Sequence, residues 1–321
     1  MKRLTHILER RSAALLVFGL VIAFGTSRTG TFLTGSNFEN IARQISLDAP
    51  MVFGQAVVLI AGGIDISVGS TMAMAAALSI GLQPYGTSIA VFTALAFGLG
   101  VGVLNGLLVT RGKIVAFVAT LGTMSVVRGL LLTYTGQQSL SGRDPGFAWW
   151  GGGQIGPVPV PLLVVLVLLL VLYVLLEHTR YGRDLYAIGG NKDAAFLGGV
   201  SVNNGLMLAF TISGVMSAVS GILVASRLNS ASVQLGGDAP LMSISAALIG
   251  GASLLGGKGS IVAAFLGVLA LGILNNGMNL LGVPTYNQIA IRALILVAIV
   301  AIDALATRLR QRELSASRVV E

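Results

Sequence analysis

The chain has 321 residues, 55% of them hydrophobic and only 10% charged, with a formal net charge of +8 and no cysteine. Soluble domains carry about 25% charged residues, and a soluble surface this apolar would aggregate, so the expected solvent is a bilayer. The missing cysteines exclude a disulfide framework, a thiolate nucleophile and a cysteine-ligated metal. No basic patch interleaved with aromatics supports nucleic-acid binding.

A helical span needs about 20 mostly apolar residues. The chain therefore reads as all-α: one polytopic helical bundle over residues 1–321, with about ten (eight to ten) spans and no room for a soluble catalytic domain. The first apolar run is Ser12 to Thr26, behind a basic start that lacks a small-x-small cleavage site; it reads as an uncleaved span. A polar lead, "SNFENIARQISLD", introduces the second, Ile45 to Gly62. The third, Val68 to Leu82, is short. The fourth is Ser88 to Thr110, and the fifth, Ile114 to Tyr134, contains Arg128. A Gly-rich loop holding Trp149 and Trp150 leads to the sixth, Pro161 to Leu176. A polar loop, 178–203, precedes the seventh, Gly205 to Ala225. The eighth, Pro240 to Gly251, is again short. The ninth is Ile261 to Leu281, the tenth Gln288 to Ala306, and a basic tail follows.

With ten spans and a cytoplasmic N-terminus, fourteen of the twenty basic residues fall on the cytoplasmic side, among them Arg111, Lys113, Arg180, Arg183, Lys192 and Lys258. Arg28, Arg143 and Arg227 fall outside. Positive charge favours the cytoplasmic face, so both termini are expected there, and the tryptophans at the outer interface.

Two Gly-rich breaks echo each other: "GGIDISVGS" (62–70) and "GGASLLGGKGS" (250–260), followed by "GVLNG" (102–106) and "GILNN" (272–276). This pattern outlines two halves, 40–135 and 205–306, and interrupted short spans in matching positions point to a transport route. The second break fails as a phosphate-binding loop, which needs G-x-x-x-x-G-K-[ST]. Ala252 stands at its first glycine and Gly259 at its Ser/Thr.

Within the first break, Asp65 has two readings, and both involve Ser67 and Gly69. It caps the start of the third span, where an acid suits the helix dipole, or it lines a polar pathway, since intramembrane acids are costly and functional. Asn105, Arg128, Asn275 and Asn276 are further pathway candidates, each with interhelical hydrogen bonding as its plainer reading. His6 and His178 have no metal-ligand or nucleophile partner at usable spacing, and no catalytic pair appears. No metal site and no bound cofactor are expected. The loop 178–203 is too polar to cross; its middle, from Asp193 through "AAFLGGV", forms a short amphipathic helix closed by Gly198 and Gly199. Leu185, Ile188, Phe196 and Leu197 are candidate knobs for a partner.

Together, "GGIDISVGS", "TRYGRDLYAIGGN" with the following alanines, and "GGASLLGGKGS…GILNNGMNLLGV" resemble the membrane permeases of ribose-type sugar ABC importers, from about Phe38 to Asp303. The resemblance implies a homodimeric permease in the bacterial inner membrane that carries a monosaccharide, pentose or similar, inward. Separate cytoplasmic ATPase subunits bind ATP and Mg, and a periplasmic binding protein delivers the sugar. It also implies that Gly182, Gly190, Asn191, Ala194, Ala195, Leu197 and Gly198 belong to the element that docks the ATPase. The chain departs from the family's acidic "E-L-D-A-I-A" segment: Pro240 and Met242 stand where the acids would be. A self-sufficient secondary transporter or channel is the competing reading; its coupling charges would be limited to Asp65, Arg128 and Arg292.

Overall fold

The computed structural model describes residues 16–17, 19–24, 30–298 and 300–301. The first expected span is helical where it is described; the basic N-terminal segment with His6, Arg28, and the tail after residue 301 lie outside the described residues. The helices that follow are α1 (Gly35–Ile60), α2 (Val68–Gly81), α3 (Thr87–Thr110), α4 (Ala116–Thr135), α5 (Pro145–Gly152), α6 (Val160–His178), α7 (Arg180–Gly190), α8 (Lys192–Leu197), α9 (Val202–Leu228), α10 (Ala239–Ile249), α11 (Ile261–Leu280) and α12 (Thr285–Ala298). Among the described residues, α3, α4, α6, α9 and α11 are each long and apolar enough to cross a membrane. The chain is an all-α, multi-pass membrane protein.

At 27 residues and 1.5 Å per residue, α9 is about 40 Å long, more than the roughly 30 Å hydrocarbon core. It packs most extensively on α3, α1 and α2. Hydrophobicity cannot drive helices together in lipid, so close approach of small residues must. Along α3, Ala90, Ala94, Gly98, Gly102 and Gly106 recur every fourth residue and are buried. A methyl group on Gly102 would meet Phe210 O and Thr211 Cα of α9, and one on Gly98 would meet Gly214 O. In the reverse direction, Gly214 rests on Gly98 O. Side chains on the far sides of α4 and α6, such as Val126, Val167 and Leu170, are exposed, as lipid-facing surfaces require.

The bundle has two distinct ends. At one, α5 carries Trp149 and Trp150, and strand β1 (Leu140–Ser141) pairs antiparallel with β4 (Ser230–Ala231) after α9. A hairpin joins β2 (Gln154–Ile155) to β3 (Val158–Pro159). Asp144 caps α5 by accepting from Gly146 N–H (2.8 Å) and also accepts from the Thr87 hydroxyl; these bonds hold its carboxyl below the usual range. At the other end lie α7 and α8.

Two boundaries differ from the sequence reading. The polar lead is not separate: it is the first half of α1, capped by Thr34, whose hydroxyl accepts from Asn37 N–H. Charged Glu39 and Arg43 pair four residues apart at 2.7 Å, so the helix tolerates them. The loop 178–203 holds two helices, not one. Thr179 starts α7, accepting from Gly182 N–H, and Asn191 caps α8, accepting from Ala194 N–H at 3.0 Å. Gly199, at φ +80°, ends it.

Candidate functional site

The break that follows α1 is held by its own polar residues. Gly62 (φ +76°) turns the chain out of α1, and Asp65 follows, only 1% exposed. Its Oδ1 accepts from the Ser67 backbone N–H (2.9 Å) and hydroxyl (2.6 Å), and its Oδ2 from the Ser213 hydroxyl of α9 (2.7 Å). Asn105 Nδ2, on α3, donates to Ser67 Oγ at 2.9 Å. Thr120, on α4, accepts from Ile66 N–H (3.1 Å). One carboxylate thus receives three hydrogen bonds and ties the start of α2 to α9, and through Ser67 to α3. Ser67 is the residue before α2 and makes no side-chain cap bond to it; Asp65 binds the N–H of Ser67 rather than one inside the helix. Three donors to one buried carboxylate offset a desolvation cost that a lone acid could not bear.

The remaining pathway candidates separate into two places. Gly69, the second residue of α2, lies against Gly236 O, and Arg128 Nη1 reaches Leu235 O at 3.4 Å. Both therefore hold the segment between β4 and α10. Asn275 is buried in α11 with Oδ1 unpartnered. Asn276 exchanges two amide bonds with Asn37 (2.8 and 3.0 Å), joining α11 to the first turn of α1. These two lie apart from Asp65. One helix, α2, accounts for the different spacing of the echoed phrases: it intervenes between the first break and "GVLNG" on α3, whereas α11 carries "GILNN" directly after the second.

The two breaks and α7 meet at a single joint. Gly257 N–H donates to Ile60 O, the last residue of α1, at 2.9 Å. Tyr186 of α7 donates to Gly259 O at 3.0 Å. A methyl group on Gly189 would strike Ile60 O and Gly257 N, and one on Gly256 would come 2.7 Å from both Gly62 Cα and Gly189 O. Gly62, Gly256 and Gly257 all have positive φ. Glycine is required here twice over, for the backbone angles and for the backbone-to-backbone approach. Three motifs distant in sequence form one rigid contact.

Beyond this joint the α7–α8 loop presents its surface. Gly190, Asn191, Ala194, Leu197 and Gly198 are exposed, while Gly182 and Ala195 are buried. The expected knobs divide. Phe196 (70%) and Leu197 (85%) point outward, but Leu185 and Ile188 are fully buried. Contrary to the expectation that they meet a partner, Leu185 and Ile188 anchor α7 to the bundle, with Ile188 packing where Gly205 of α9 leaves room. Helical spacing puts 185 and 188 on the inner face of α7, and sequence alone cannot tell which apolar face of a loop helix is turned in.

Sequence reasoning missed Ser213 and Asp48. Ser213, Ser217 and Ser220 are all fully buried on α9, and their spacing of four and three places them on one helix face, a signal that was available. Asp48 ends the polar lead and falls within the run Ile45 to Gly62, yet the sequence reading gives it no role.

The comparisons with known proteins agree with this architecture. Residues 37–300 match the family described as "Branched-chain amino acid transport system / permease component". The ribose import permease of Bacillus subtilis (strain 168) is 37% identical, covering 92% of this chain and 93% of its own. The D-allose transport system permease of Escherichia coli (strain K12) is 33% identical over 90% of each chain. The galactose/methyl galactoside import permease of the same organism is 32% identical over 91% and 92%. No solved structure matches. Matched by the family over residues 37–300 and by such relatives along nearly its full length, this chain belongs to the permease-component family and is a transport subunit, not an enzyme.

Proposed function

We propose that the chain is the membrane subunit of an ABC importer that moves a monosaccharide into the cytoplasm. The family description speaks of branched-chain amino acids, but the relatives matched over nine tenths of their length are named for ribose, D-allose and galactose. These names span a pentose and hexoses, so the shared scaffold supports the class of solute and not one sugar. ATP and Mg are bound by partner ATPase subunits, a periplasmic binding protein supplies the sugar, and two copies of the chain form the pathway, as the family resemblance implies. The permease sits in the inner membrane with about ten spans, the α7–α8 end and both termini in the cytoplasm.

The observation that carries this reading is the glycine joint. An ATPase gripping Phe196 and Leu197 would move α7, and α7 is hydrogen-bonded or packed backbone-to-backbone against both breaks. Motion then reaches α1, α2 and α11 without slack, because packed interfaces switch between discrete arrangements and do not deform gradually. Asp65, with no acceptor site turned to solvent, serves as the latch that keeps α2 on α9 during that motion.

The test is reconstitution in vesicles with candidate ATPase and binding-protein partners encoded nearby. Uptake of labelled sugar is expected only with ATP and both partners. Leu197→Glu should abolish it while membrane insertion persists. The buried Ala195 is a poorer probe, because a charge there would disrupt the loop itself. Uptake by the chain alone would favour the secondary-transporter reading and overturn this one.

A further inference from the structure

A cavity of about 260 Å³ lies between α1, α2, α9 and α10, toward the tryptophan end, lined by Gln44, Asp48, Met51, Met72, Asp238 and Met242 among others. Its wall on α1 is irregular. Pro50 lacks an N–H and clashes with the carbonyl four residues back. Beside it, Ser220 of α9 enters the helix: its hydroxyl donates to Leu47 O (2.7 Å) and accepts from Met51 N–H (3.1 Å). A regular helix would join that pair directly. A side chain inserted in the ladder at a proline opens a helix, and broken helices within a bilayer occur where they line a cavity.

Asp48 stands in this opened turn. Its side chain makes no hydrogen bond and no ion pair with the described residues, and Asp238 lines the same cavity. Asp238 is itself paired with Arg292 at 3.2 Å. Of the two carboxylates that line the cavity, Asp238 is thus engaged in an ion pair, and Asp48 is left to accept beside the amide of Gln44. With no cationic group in its lining the cavity disfavours an anion, and a free carboxylate beside an amide suits a solute rich in hydroxyls, which donate to the carboxylate and accept from the amide N–H. The methionines Met51, Met72 and Met242, from three helices, give flexible apolar contact for the C–H face of such a molecule. The volume lies below the roughly 300–1,000 Å³ typical of drug-sized pockets, which fits a small solute.

A second observation points the same way. Gln44, Asp48, Met51 and Gln55 share one face of α1 by helical spacing. Gln55 lies four residues past Met51, about 6 Å further along the axis. It is fully buried, and neither its Nε2 nor its Oε1 has a partner. Buried amides are almost always satisfied, so an orphan in line with the cavity marks a polar position that another state of the molecule fills.

We propose that this cavity is a station on the solute route, that it takes a neutral polyhydroxylated molecule, and that Asp48 and Gln44 bind its hydroxyls above a closed floor of Met51, Met72 and Met242, with Gln55 the next polar contact below. The proposal rests on the importer reading given above and adds the position and chemistry of the site.

Two measurements on the reconstituted complex test it, both using labelled aldopentoses and aldohexoses. Asp48→Asn removes a charged acceptor while keeping shape. It should change the ratio of uptake between two aldoses epimeric at one hydroxyl by about tenfold or more, the scale of one charge-assisted hydrogen bond. A purely structural role would lower both rates in parallel and leave the ratio unchanged, which overturns the assignment of Asp48. The natural chain has no cysteine, so Met72→Cys introduces a single thiol on the floor and leaves Asp48 intact. A methanethiosulfonate reagent should modify it and block uptake, and sugar-loaded binding protein with ATP should slow the modification. A thiol that never reacts, or reacts at an unchanged rate during transport, shows that solute does not pass here. Absence of ATP-dependent uptake by the natural chain with its partners would instead sink the importer reading.

Discussion

Ser213 decides what Asp65 is worth. A buried carboxylate deprived of one donor loses a charge-assisted bond and retains an unpaired lone pair, at a cost of about 1–3 kcal/mol. Ser213→Ala should therefore lower the thermal stability of the detergent-solubilised chain, read as an earlier midpoint by fluorescence-detected size exclusion. Asp65→Ala should cost more, since Ser67 and Ser213 both lose their acceptor. Asp65→Asn should be milder, because the Ser213 hydroxyl can accept from an amide. Normal stability with lost transport in Asp65→Ala would return Asp65 to the solute route. Asp65 was legible in the sequence because an acid between two apolar runs is conspicuous. Its partner was not, since a serine in a span has no distinctive composition and gains meaning only from the face it shares. Asp48 escaped for the opposite reason: it closes a lead that also holds Glu39 and Arg43, and only the fold shows that it lines a cavity between α1, α2 and α10.

Helices and breaks were read unequally well. The apolar runs place α2, α3, α4, α6, α9, α10 and α11 within a few residues, because a bilayer demands uninterrupted apolar length. The short spans α2 and α10 follow the glycine breaks that bound them. What pattern could not give is which breaks touch. Gly189, Gly256 and Gly257 look like loop glycines, and only the fold shows that they let backbones meet. The joint predicts a specific defect. Gly189→Ala would press a methyl group against Ile60 O and Gly257 N, and overpacking of this kind costs about 1–3 kcal/mol. The strain should separate α7 from the breaks, raising the number of ATP molecules hydrolysed per sugar imported by about tenfold while the chain still inserts. Gly129→Ala, on α4 and away from the joint, is the control, because nothing lies within 4 Å of a methyl group at that position. Equal stoichiometry in the two variants would show that the joint does not transmit motion.

Across the whole molecule, charge and aromatic residues divide between the ends. Arg111 and Lys113 after α3, Arg180, Arg183 and Lys192 on the α7–α8 loop, and Lys258 in the second break all gather at the glycine-joint end. Trp149 and Trp150 are exposed at the opposite end, packed edge to face on each other at 5.6 Å. Lysine and arginine favour the cytoplasmic side, and indole rings favour the headgroup layer. An importer needs the same polarity on mechanical grounds: the loop that meets the ATPase must be cytoplasmic, and the end of the bundle that carries α5 must face the delivered sugar. The two arguments are independent, so one topology experiment bears on both. Because the chain lacks cysteine, Trp150→Cys and Leu197→Cys each create a single exposed thiol. A membrane-impermeant maleimide should label Trp150→Cys in cells with a permeabilised outer membrane and leave Leu197→Cys unmodified until the inner membrane is opened. The reverse pattern would place the ATPase-facing loop outside, and an importer driven from the α7–α8 end would then be untenable.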